Sequence, residues 1–241
     1  MKKNKPIGLN YIDGCYISAY SSYNGIFKDE VVLIDSGWAD SISCIIGNID
    51  DVYPLLLNTI SDKRPQSFED LCGCVFLVIQ KYFGDYSNAD EREKNYLKYE
   101  LSKTEKIGKV SDLKGKNAAL CVERAMLAQN LLKYLNIDSY YKCSAILNND
   151  KLEGHAYNLI NCDGRYYIFD STMPTLIQGE INPLVAEIPK NVFDLITSPN
   201  SRVGYSVEVS YYNPLKSENK HIVYDYDREN IYVVDEVTKK I

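Results

Sequence analysis

The chain has 241 residues, of which 45% are hydrophobic and 25% charged, with a formal net charge of -6. That balance suits a globular protein with one sizeable core, or one core plus an appendage. No basic tract stands out and no apolar run is long enough to cross a membrane, so nucleic acid and the bilayer are set aside as partners.

The N-terminal residues Met1-Lys2-Lys3-Asn4-Lys5 have the charge of a signal-peptide start. Pro6, Gly8, Asn10, Asp13 and Gly14 interrupt any apolar run behind them, so secretion by that route would need a leader that has been removed. The seven cysteines are an odd number in a large chain and read as mostly reduced thiols, hence as a cytoplasmic protein. Up to about residue 47 the pattern is irregular, with strand-like runs at Cys15 to Tyr20 and Val31 to Ile34, and Asn24-Gly25 as a turn. Trp38 reads as an anchor in a small core. Asp51 to Ile60 predicts a short helix with Pro54 in its first turn.

Ser67 to Phe83 is the clearest helix. Phe68, Leu71, Cys72, Val75, Phe76, Ile79, Tyr82 and Phe83 keep helical spacing, Ser67 with Asp70 makes a capping box, and Gly84 suits the end. Cys72-Gly73-Cys74 is not the usual zinc spacing and has no second pair, and Cys72 fits the apolar stripe, so no metal is called for. Asn88 to Lys106 is rich in charge and predicts a solvated helix.

Ala118 to Leu135 lacks Pro and Gly and consists mostly of good helix formers, with Asn117 as its N-cap. Cys121 falls in the first turn, on one face with Ala125, Ala128, Leu132 and Leu135. The unpaired amides and the positive end of the helix dipole lie there, which favours a thiolate over a thiol. Ser139 to Leu147, His155 to Cys162 and Arg165 to Asp170 read as strands, the last two joined at Asp163-Gly164. His155 and Asp170 lie almost symmetrically about that turn, so the hairpin makes them approximate cross-strand neighbours. A carboxylate beside an imidazole orients the ring and stabilises its cation.

Met173 to Val203 carries four prolines and little periodicity; it predicts a long loop bordering the cleft, with a turn of helix near Val192 to Ile196. Tyr205 to Tyr211, His221 to Tyr226 and Ile231 to Val234 read as added antiparallel strands, and His221 as a surface or sheet-edge residue.

The segment from Gly115 to Thr172 resembles the core of the transglutaminase-like, papain-like superfamily of cysteine enzymes. In that family a Cys starts a helix, a His begins a following strand and an Asp ends the next. His155-Ala156-Tyr157-Asn158 is similar to the family's HAW text, and Asp170-Ser171-Thr172 to its D-x-T; the family's Gly before the Cys and aromatic beside it are replaced here by Leu120 and Val122. The resemblance implies an α+β fold in which a nucleophile-bearing helix packs on an antiparallel sheet. It implies a catalytic domain over 66–241 with an N-terminal extension over 1–65. Cys121 would attack an amide carbonyl to form a thioester, His155 would move the proton, and Asp170 would hold the ring. Asn117 and Tyr157 are candidates for oxyanion or substrate contacts. The substrate class is a peptide or protein, with no cofactor. A peptidase or amidase is the first reading. The alternatives are a transglutaminase, deamidase or other acyltransferase, or a binding scaffold without catalysis.

Overall fold

The computed structural model describes residues 9–12, 15–18, 22–29, 33–34, 43–84, 95, 107–148, 151–177, 180–198, 201, 203–207, 220–225 and 230–235. Trp38, residues 149–150, and the charged stretch 88–106 apart from Asn95 lie outside them. The architecture is α+β. Short strands β1 (Leu9–Ile12), β2 (Cys15–Ser18), β3 (Leu33–Ile34) and β4 (Ser43–Ile45) come first. Helices α1 (Val52–Lys63) and α2 (Phe68–Phe83) follow. Strand β5 (Ile107–Lys109) then leads through a single 3-10 turn to helix α3 (Cys121–Tyr134).

The main sheet is built from β6 (Asp138–Asn148), β7 (Lys151–Cys162), β8 (Arg165–Ile177) and β9 (Glu180–Ile188) as an antiparallel run. Helix α4 (Lys190–Thr197) comes next, and β10 (Val203–Val207), β11 (Lys220–Asp225) and β12 (Asn230–Asp235) extend the sheet beyond β6. The β10–β6 pair is parallel, so the sheet is not antiparallel throughout. His221 lies in β11, one strand in from the β12 edge.

Strand alternation explains the layering, because successive side chains point to opposite faces. Ala156, Ile160, Tyr167 and Phe169 join a core with Val52 and Leu56 of α1, with α2, and with α3. Their neighbours Tyr157, Leu159 and Ile168 join a second core with Leu184, Ile188 and the α4 residues Val192, Phe193 and Ile196. Phe27, Cys44, Ile46 and Ile49 of the N-terminal region are buried in the first core.

Two expectations are corrected here. The stretch 173–203 is not a loop: β8 runs on to Ile177, β9 pairs along it, and α4 is a true helix. Its three described prolines sit where a missing N–H is tolerated: Pro174 in a bulge of β8, Pro183 on the sheet's edge strand and Pro189 at a helix N-cap; Pro199 lies outside the described residues. Second, α3 starts at Cys121, with Leu120 as N-cap in place of Asn117. Asn117 has φ of 45°, the left-handed region that Asn tolerates but that an N-cap does not use. Its N–H donates to the Phe83 carbonyl at 2.8 Å, which ties it to the end of α2.

Candidate active site

The site is assembled where regular pairing gives out. The β7–β8 ladder runs from Cys162↔Arg165 to Asn158↔Phe169 and stops. Counted onward, that register sets Thr172 opposite His155 and Asp170 opposite Tyr157, so His155 and Asp170 are diagonal rather than direct neighbours. Diagonal pairs are within reach of a long or ring side chain. A bulge in β8 between Asp170 and Thr175 opens the strand at this point. Bulges re-aim side chains in this way.

His155 Nε2 lies 2.5 Å from Asp170 Oδ2, and the carboxylate is 1% exposed. Thr172 secures the other carboxylate oxygen. Its N–H and its Oγ1 both donate to Asp170 Oδ1 at 2.7 Å, and Oγ1 is 3.3 Å from His155 Nε2. Burial works against a charged His155 ring, but the Asp170 charge and hydrogen bond outweigh it. A hydrogen bond to Cys121 and the charge of its sulfur add to this, and the ring's pKa is pushed up to about 10. The ring is therefore linked to both side chains: Asp170 at Nε2, and the thiol of the first residue of α3. Cys121 itself is only partly buried.

The turn into α3 is held by two charged side chains from the helix's first residues. The Leu120 N–H donates to Glu123 Oε2 at 3.0 Å. Arg124 Nε donates to the Ala119 carbonyl at 3.0 Å, Nη1 to Gln80 Oε1 at 2.6 Å and Nη2 to the Gly84 carbonyl at 2.8 Å. Arg124 is fully buried, with its guanidinium carbon 5.6 Å from the centre of the Phe83 ring. Read as a sequence, Arg124 is only another good helix former. The available signal was an adjacent Glu-Arg pair inside a helix otherwise fit for burial.

Tyr157 is not at an open surface. It is 1% exposed, its hydroxyl is 3.0 Å from Ser144 Oγ, and burial raises its pKa. Its ring lies 6.3 Å from that of His155, within 18° of parallel. Alternation places it on the face that α4 covers. Asn117 stands at the end of α2, and its Oδ1 is buried with no hydrogen-bond partner.

Other reactive groups are placed elsewhere. The six cysteines whose side chains are described are thiols rather than disulfides. Cys72 and Cys74 are buried in α2, where burial pushes both thiols up. Among the described residues, no three His, Cys, Asp or Glu side chains gather as a metal site, and no helix is long and apolar enough to cross a membrane. Compared with known families, residues 78–190 match the family model of a transglutaminase-like domain. No curated protein matches the chain.

Proposed function

Because residues 78–190 of this chain carry a transglutaminase-like domain, we propose that it is a cysteine-dependent enzyme that cleaves an amide through a thioester on Cys121. The observation that carries this reading is the His155 ring, bonded to Asp170 on one side and to Cys121 on the other. With Nε2 engaged by Asp170, Nδ1 is the nitrogen left for the thiol. His155 takes the thiol proton, and the sulfur attacks the carbonyl carbon of a peptide or protein amide. The tetrahedral oxyanion meets the Cys121 N–H, one of the amides a helix start leaves unpaired. The Asn117 side chain is the candidate for a second donor. Collapse breaks the C–N bond, and the amine leaves with the proton held by His155. Water, deprotonated by the same ring, then attacks the thioester and releases the acid and the thiol. Asp170 keeps the ring in place throughout.

Partial exposure of Cys121 favours water as the acceptor, which makes the enzyme a peptidase or amidase. The test needs no substrate. Native protein is treated with iodoacetamide near neutral pH and each cysteine is followed by mass spectrometry. Cys121 is expected to label fastest, His155→Ala to slow it strongly, and Cys121→Ser to abolish the fast site. If Cys121 reacts no faster than the other cysteines, also with a smaller alkylating reagent, and His155→Ala changes nothing, the nucleophile assignment is wrong and the fold serves as a binding scaffold.

A further inference from the structure

The proposed chemistry uses Cys121, His155 and Asp170, and leaves two large buried cations among the described residues unused, Arg124 and Lys142, of which Arg124 lies beside the entry to α3. Among the described residues Arg124 is the bulkiest of the fully buried side chains. A buried charge is costly unless hydrogen bonds satisfy it, and a planar guanidinium is suited to fixing several acceptors at once. Those acceptors are spread over two elements. One is the Ala119 carbonyl, two residues before Cys121. The other two, the Gly84 carbonyl and the Gln80 side chain, belong to the end of α2. Arg124 thus bolts the entry to α3 onto α2, while Glu123 caps the Leu120 N–H from the same helical turn. Neither the Leu120 N-cap nor its neighbours offer a side-chain acceptor of their own, so this turn depends on groups reaching back from inside the helix.

Building on the thioester reading above, we propose that Arg124 is a positioning residue for Cys121. Its guanidinium fixes the Ala119–Leu120 turn so that the thiol meets the His155 ring and the Cys121 amide points at the attacked carbonyl. The assignment needs the fork as well as the charge. Lysine would keep the charge and lose the simultaneous grip on three acceptors.

The test compares Cys121 alkylation by iodoacetamide across a pH series in wild type, Arg124→Lys, Arg124→Met, Gln80→Leu and His155→Ala, with thermal melts alongside. In wild type, Cys121 is expected to label faster than the other cysteines across the series. Arg124→Lys and Arg124→Met are each expected to slow labelling at about pH 6 by roughly tenfold or more, while at high pH, where any thiol ionises, they approach wild type. Gln80→Leu removes a single anchor from a part-exposed position and is expected to give a smaller slowing of the same shape. It keeps the test decisive if both Arg124 variants fail to fold. A purely structural Arg124 would lower the melting temperature and leave the pH profile unmoved, and that result overturns the proposal. So does an Arg124→Lys profile identical to wild type, which would leave only the charge. If His155→Ala also leaves the profile unmoved, the thioester reading itself has failed. If His155→Ala moves it and the Arg124 and Gln80 variants do not, only the positioning role has.

Discussion

At the scale of single residues, the polar contacts around Asp170 set the expectations. Thr172 gives two donors to one carboxylate oxygen and leaves the other for His155. Thr172→Val keeps the volume and removes one donor. It is expected to cost about 1 kcal/mol of stability in denaturant unfolding, and Thr172→Ser to recover most of that. The His155 ring has a native pKa near 10, raised from 6.5. A raised pKa means that protonation favours the folded state. The contribution is complete below about pH 6.5 and is lost as pH climbs through about 10. Asp170→Asn removes the main source of that shift, so the stability gap between wild type and variant should be widest at about pH 6 and should narrow toward pH 10. A gap that widens with pH would contradict the charge arrangement. Tyr157→Phe leaves the Ser144 hydroxyl without its partner in the second core. It is expected to cost about 1 kcal/mol without changing the Cys121 labelling rate.

At the scale of elements, the parts most legible in the sequence are those fixed by local chemistry. Ser67 and Asp70 form a capping box on α2 through mutual contacts, with Ser67 Oγ accepting from the Asp70 N–H at 3.0 Å, and Gly84 closes the helix. Ser67→Ala is expected to lower stability by about 1 kcal/mol. Gly84 has a φ of +107°, and a Cβ there would lie 3.0 Å from Asn117 Cβ. Gly84→Ala should therefore destabilise by about 1–3 kcal/mol and disturb the approach to Cys121. The hairpin at Asp163-Gly164 was legible for the same local reason, and it brought His155 near Asp170. The detail that escaped was a shift of register, visible only once the ladder is counted from Cys162↔Arg165. What was not legible depends on distant partners. The start of α3 is set by Glu123, Arg124 and the end of α2, so the Asn117 signal pointed three residues too early. The strands over 173–188 were hidden because a proline marks a loop in a sequence but is harmless in a bulge or on an edge.

At the scale of the whole molecule, strands β7 and β8 are covered on both faces, by α1, α2 and α3 on one side and α4 on the other. Phe193 anchors the second layer and is 5% exposed. Phe193→Ala should cost about 3–5 kcal/mol, measured by denaturant unfolding. The partly open nucleophile leads to a further expectation. An added primary amine should not enter the product in place of water, and efficient amine incorporation read by mass spectrometry would move the assignment to a transglutaminase.

Strand β9 ends the sheet, and an edge of this kind normally offers a row of unsatisfied backbone groups on which a second chain can grow. Ile181 lies on it, 40% exposed, an inviting contact for another copy. Pro183 falls two residues later, opposite the bulge in β8, and has no N–H to offer, so the strand has one donor fewer. The residue that disguised this strand in the sequence is thus expected to guard it against self-association as well. Restoring the donor with Pro183→Val should leave the monomer folded and make it scatter light sooner on heating.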